Sequence, residues 1–292
     1  MQLNTVIEGN RNTTMTPLSA KVYEAINKAI DADKLVLPTM PEMAVRVKEV
    51  VNEDSSSIKD LGKVIASDAA LTARIIKVSN SPIYRGTTEI EDLNMALMRL
   101  GMATTSSLAI GLAMEQMFQA TTDMVDRRLR KVWSESSEIA GICNLLCKHK
   151  TNLRPDQATL AGLVHQIGIL PVLSFAEDHP KLLQDGMTLD KITEEVHPKI
   201  GARILKAWEF PVDIHNVPED YLNFNRDIPK ADYADIVTVA MIQSQTASGN
   251  AFDGINLQQV KSFDRLELDP DIETAEAEDL SEEMLEAMKM LH

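Results

Sequence analysis

Six histidines and two cysteines are the side chains of this 292-residue chain best suited to hold a metal or act as a base. Cys143 and Cys147 are four residues apart, so they share one face of a helix. Two thiols are half of a zinc site, and no CxxC or HxxxH completes it. They are expected to be buried small apolar side chains. His165-Gln166 lies in the apolar stretch around Leu160–Ala176. An imidazole there reads first as a hydrogen-bonded core histidine, with Gln166 beside it in a buried polar network. His197 precedes Pro198, which places it outside a helix and at a helix start. His149, His179, His215 and His292 have no clustered acids or cysteines and are expected at the surface. There is no GxxxxGK[ST], GxGxxG or GxSxG pattern. Arg127, Arg128, Arg130 and Lys131 form the one dense basic run. It opens a helix, where positive charge is unfavourable toward the dipole. An anion or nucleic-acid contact would explain it, but pairing with Asp123 and Asp126 explains it as well. No interleaved aromatics support single-strand binding.

The elements that must position these residues read as helices throughout. Thr16 followed by Pro17 is an N-cap and first-turn signal, and Leu18, Val22, Ile26 and Ile30 recur at spacing four. Ser57 and Asp68 cap two further helices, and Asn80-Ser81-Pro82 ends the second. A helix through Leu93, Leu97 and Leu100 stops at Gly101, and Ser107–Phe118 follows. Asp126–Lys148 is one long helix. Pro155 opens the run to Ala176, Pro198 begins Lys199–Trp208, and Tyr233–Gln245 and Leu280–Leu291 follow. No strict alternation demands a strand. Gly141, Ala161, Gly162 and Gly168 point to close helix packing or a bound group near the backbone.

The composition is 44% apolar and 4% aromatic, with 15 Met, so the core is aliphatic and Met-rich. Two Cys exclude a disulfide scaffold, and no membrane span or signal segment is read, so a bacterial-type cytoplasm is expected. The net charge is −15, and residues 267–292 hold ten acids and one lysine. That tail would repel nucleic acid and anionic lipid.

Several segments resemble one family. They are Leu37-Pro-Thr-Met-Pro-Glu-Met-Ala44, Ile65–Arg74, Val78-Ser-Asn-Ser81, Met98-Arg-Leu-Gly101, Trp133, Leu160–Gly168, His197–Ala202 and Trp208-Glu-Phe-Pro211. Their order and spacing resemble the HDOD domain of bacterial signalling proteins, a relative of the HD metal-dependent phosphohydrolases. The resemblance implies an all-α bundle of two helical lobes. It implies an N-terminal lobe over 17–121 and a degenerate HD lobe over 122–250, while the residues on either side read as a flexible N-terminus over 1–16 and an acidic helical segment over 251–292. The HD enzymes hold a divalent metal with a His, a His-Asp pair and a late Asp. Such a metal activates water and polarises a phosphoryl oxygen. At the matching positions this chain has Glu135, His165-Gln166 and Met241, and it retains His197. The family's later His-His pair is replaced near Tyr221-Leu222. One carboxylate, one imidazole and one amide are a poor set for Mg or Mn, and a thioether is softer still. A remnant site of Glu135, His165 and His197 would suit iron only if the three side chains converge.

The expectation is therefore a non-catalytic regulatory module with no cofactor, acting on a protein partner in a signalling pathway or on a small ligand. A metal-dependent phosphohydrolase of nucleotides, needing Fe, Mn or Zn, is the alternative. A nucleic-acid-binding regulator working through Arg127–Lys131 is the third reading.

Overall fold

The computed structural model describes residues 15–247, 256–270 and 284–291. Their helices are α1 (Pro17–Asp31), α2 (Glu42–Asn52), α3 (Ile58–Ala66), α4 (Ala69–Ser79), α5 (Leu93–Ala113), α6 (Asp123–Lys150) and α7 (Pro155–Val164). There follow α8 (Ile169–Glu177), α9 (Pro180–Leu183), α10 (Gly186–Ala207), α11 (Val212–His215), α12 (Val217–Asp220), α13 (Tyr233–Ala247) and α14 (Lys261–Arg265). No strand occurs among the described residues. The fold is all-α.

Local chemistry sets most helix starts. Thr16 Oγ1 accepts from the Ser19 N–H, and Pro17 fills the first turn of α1. Asp68 accepts from the Leu71 N–H at 3.0 Å and starts α4. Asp60 accepts from both the N–H and the hydroxyl of Ser57 at the start of α3. Gly101 has φ 75° and ψ 172°, a conformation for which glycine is suited, and it divides α5 into two helical segments across a kink.

Helices α2, α3 and α4 pack on α5, and α5 packs on α7. The long α6 runs against α7 and α13, and α10 lies on α8, α11 and α12. Helix α1 packs on α10 and α8. The Thr16 N–H accordingly donates to Glu195 of α10 at 2.8 Å. The two halves are tied by polar contacts as well. Trp208 Nε1 donates to the Pro38 carbonyl at 3.0 Å, and Lys48 Nζ donates to the Trp208 carbonyl at 2.6 Å. Ser107 of α5 donates to the buried Asp156 of α7 at 2.9 Å.

Three expectations are corrected here. Pro198 does not begin a helix: it sits inside the 22-residue α10. His197 is therefore helical and buried, not a capping residue. Pro198 has no N–H, so it removes one helix bond toward Glu194, but packing on both sides holds the helix through it. The run from Pro155 to Ala176 is two helices, broken by a turn at 165–168. The helix through Leu93 does break at Gly101, as expected, and a second helical segment runs on from there to Ala113.

The stretches Leu93–Met117 and Pro155–Glu177 are long and apolar enough to cross a membrane by composition, but most of each is buried in this protein's own core.

Candidate functional site

Among the described residues, two of the clefts have volumes of about 470 Å³ each. One, between Val36, Pro38, Leu129, Leu170 and Pro171, is mainly apolar, and its single acid Glu177 accepts from Thr122. The other gathers polar side chains from four directions, which is the usual mark of a binding site. Of the residues at the positions that match the HD metal set, Glu135, Gln166 and Met241 line it, together with His197.

Helix α6 supplies Arg128, Lys131, Val132 and Glu135 to this groove. The spacing of three, four and seven puts them on one face. Helix α10 supplies Asp190, Thr193, Glu194 and His197 with the same spacing. The turn between α7 and α8 supplies Gln166, and Tyr221 and Leu222 follow α12. Met241 and Gln245, four apart on α13, complete the wall.

Glycine brings two of these walls together. A Cβ at Gly168 would lie 2.0 Å from the His197 carbonyl oxygen and 2.5 Å from the Gly201 nitrogen. Helix α10 therefore presses its backbone onto the α7–α8 turn, which sets His197 close to His165. Gly162 plays the same part between α7 and α6, where a Cβ would lie 2.5 Å from the Ala140 Cα. Close packing accounts for both residues.

His165 is fully buried beneath the groove. Its Nδ1 is 2.7 Å from the Gly162 carbonyl, which only accepts, so Nδ1 carries the proton. Its Nε2 has no hydrogen-bond partner. His197 is buried as well. Its Nε2 meets the Tyr221 hydroxyl at 3.2 Å, and its Nδ1 has no hydrogen-bond partner. The Tyr221 ring stands edge-on to His165, with centroids 4.9 Å apart and planes at 87°. Burial holds the His165 pKa down to about 4. Burial, with His165 as a neighbour, holds that of His197 down to about 3. Both imidazoles are neutral at ordinary pH.

The HD metal set does not assemble from these residues. Glu135 reaches the groove, but its side chain is 45% exposed and lies 3.5 Å from Lys131. Gln166 accepts from Ser136 Oγ at 3.4 Å. Met241 stands on the groove wall with a thioether. Among the described residues no group of three or more His, Cys, Asp or Glu side chains is placed to share an ion. The condition set for an iron site of Glu135, His165 and His197 is therefore not met. The late carboxylate on α13, Asp235, is six positions before Met241 and fully buried. It accepts from Arg226, Ser262 and Arg265 at 2.6–2.8 Å, which occupies it in joining α13 to α14.

The basic run divides. Arg130 pairs with Asp126 at 2.7 Å, and Arg127 donates to the Asp123 carbonyl at 3.1 Å. Arg128 pairs with Asp190 across the groove. Arg128 and Lys131 thus belong to the groove's mouth, a role that their sequence alone does not show. Asp190, Thr193, Glu194 and Gln245 were also missed. Reading His197 as helical and stepping back three, four and seven positions would have found the first three. Cys143 and Cys147 are buried, and burial pushes both thiols up. His149 and His179 are exposed, His215 is half-buried, and His292 lies outside the described residues.

Comparison with known proteins fits this architecture. A protein of Shewanella amazonensis SB2B, provisionally named a metal-dependent phosphohydrolase, has a crystal structure that is 30% identical. The match covers 95% of this chain and 100% of that one, with a TM-score of 0.81. A provisionally named signal transduction protein of Marinobacter aquaeolei VT8 shares the fold at 22% identity and a TM-score of 0.64, over 96% of this chain and 67% of its own. An uncharacterized protein of Treponema pallidum (strain Nichols) is 21% identical over 255 residues, 81% of this chain and 46% of its own length. This chain thus spans about half of that curated relative. The HDOD domain profile matches residues 37–220, and with the groove's walls drawn from that span and the helix beyond it, the chain belongs to the HDOD domain family.

Proposed function

We propose that this chain is a regulatory HDOD module whose groove binds and does not catalyse. One observation carries the reading. The positions that would hold the metal of an HD enzyme still converge on one groove, yet they present Glu135, Gln166 and Met241, with His165 sealed beneath. The cavity persists at about 470 Å³, a size suited to a small ligand or a side-chain cluster of a protein partner. The fold-sharing protein of Marinobacter aquaeolei named for signal transduction supports the same class of function.

The test has two arms. Metal content and hydrolysis of a phosphodiester and nucleotide panel are measured for wild type and His165→Ala. Neither a stoichiometric metal nor activity is expected. In the second arm, Thr193→Trp fills the groove from α10. It should abolish capture of the native partner, or a ligand-induced thermal shift, in a protein whose circular dichroism is unchanged. Metal-dependent turnover that vanishes in His165→Ala would overturn the proposal. It would establish instead a phosphohydrolase, the reading favoured by the 30%-identical Shewanella relative.

A further inference from the structure

Residues 284–291 follow a stretch of thirteen, 271–283, that carries seven acids and no base. A helical turn over 284–288 and a further turn to Leu291 lie on the surface of the bundle. Met284, Ala287, Met290 and Leu291 are buried, while Leu285, Glu286 and Lys289 are exposed. The spacing of three puts one face of the segment inward. Two points on the receiving surface meet it in the same way. Gly141 of α6 admits the Ala287 carbonyl: a Cβ there would lie 1.9 Å from its oxygen and 2.6 Å from its carbon. Arg74 of α4 pairs with Glu115, just after α5, and donates to the Leu291 carbonyl at 2.8 Å. Both points touch backbone, so they fit any segment that brings a small residue to Gly141.

We infer that this surface of α4 and α6 is a docking site for a short helical segment. Residues 284–291 are its built-in occupant, and a segment of another polypeptide with the same pattern can take their place. The pattern is a large apolar residue, then alanine or glycine three positions on, then large apolar residues three and four positions beyond that. A helical turn of five residues has no stability of its own, so 284–288 is helical because the surface holds it. Two of the three large buried side chains are Met, unbranched and adaptable, which suits a surface that accepts more than one occupant. Glycine inside α6 costs about 1 kcal/mol relative to alanine, and what it gains there is the approach of a second backbone. Docking of the chain's own segment is intramolecular, so it needs little intrinsic affinity to stay in place. A contact of that kind yields to a partner segment that binds more tightly. The inference is independent of the groove, whose α6 residues end at Glu135, more than a helical turn before Gly141.

The probe is a fluorescein-labelled peptide of residues 282–292, and anisotropy reads its binding to full-length chains. The chains are wild type, Met290→Asp, Ala287→Leu, and Met290→Asp with Gly141→Ala. Hydrogen exchange over 284–291 reads release of the chain's own segment, and circular dichroism and melting read the fold of the rest. Met290→Asp and Ala287→Leu should release the segment and stay folded. They should bind the peptide at least about tenfold more tightly than wild type, whose site is filled. Adding Gly141→Ala to Met290→Asp should abolish the gain, and a peptide carrying Ala287→Leu should not bind. Released, folded variants that bind the peptide no better than wild type overturn the inference. So does binding that survives Gly141→Ala, because it places the peptide elsewhere. So does a chain that unfolds, or keeps 284–291 protected, in both release variants, because a segment that cannot leave the fold intact cannot be exchanged. Metal content, turnover and ligand binding in the groove test the other reading and do not enter these outcomes.

Discussion

His165 and His197 show how burial alone can set a protein's response to pH. An unfolded chain protonates histidine near pH 6.5. The folded protein resists until about pH 4 for His165 and about pH 3 for His197. Between those limits the unfolded state binds more protons, so folding stability must fall as pH falls. The stabilisation is fully present above about pH 6.5 and is lost progressively toward pH 4 and below. Each pKa unit corresponds to about 1.4 kcal/mol, so His165 alone accounts for on the order of 3 kcal/mol of the whole decline. Urea melts at pH 7, 5.5 and 4.5 should show a steep decline in wild type. A His165→Gln variant should show a shallower one, because glutamine cannot take up a proton in either state. Equal slopes would mean that other groups carry the acid response.

At the scale of elements, the close approach of α10 to the α7–α8 turn is what makes the groove. Gly168→Ala would push a methyl group onto the His197 carbonyl and the Gly201 backbone. No flexible side chain can yield there, so the helices must separate. A loss of about 2–4 kcal/mol is expected, together with weakened ligand or partner binding. Full stability with unchanged binding in Gly168→Ala would show that the contact does not position the site. The helices around this contact were largely legible in the sequence. Thr16-Pro17, Ser57 and Asp68 announced their starts because capping is local chemistry. The sites gathered on the groove were legible too, but only through the family's spacing. Pro198 misled because the rule that proline ends helices describes an isolated segment. Here the buried faces of α10, packed on α8, α11 and α12, outweigh one lost hydrogen bond. The same error hid Asp190, Thr193 and Glu194, since they can be named only once His197 is known to be helical. Tyr221 was legible merely as a missing histidine; its contact with both imidazoles depends on tertiary packing, which no local pattern encodes.

At the scale of the whole molecule, the end of the chain closes the bundle on a face away from the groove. Met284, Ala287, Met290 and Leu291 are buried, and a helical turn over 284–288 carries the first two. Two contacts fix it. Arg74 of α4, which also pairs with Glu115, donates to the Leu291 carbonyl at 2.8 Å. The Ala287 carbonyl settles on Gly141 of α6, where an added Cβ would lie 1.9 Å from its oxygen. The segment therefore bridges α4 and α6, one from each half of the molecule, and a helix-interior glycine is explained by it. Gly141 lies six positions beyond Glu135, which turns it well away from the face of α6 that lines the groove. Gly141→Ala separates the two faces experimentally. The methyl group should displace residues 284–291, raising their backbone hydrogen exchange and lowering stability by about 1–3 kcal/mol. The intrinsic preference of a helix for alanine over glycine works in the opposite direction by about 1 kcal/mol, so a net loss can only come from the displaced segment. Groove binding should be unchanged. A fall in binding that tracks the release of 284–291 would show instead that the chain's end and the groove act as one unit.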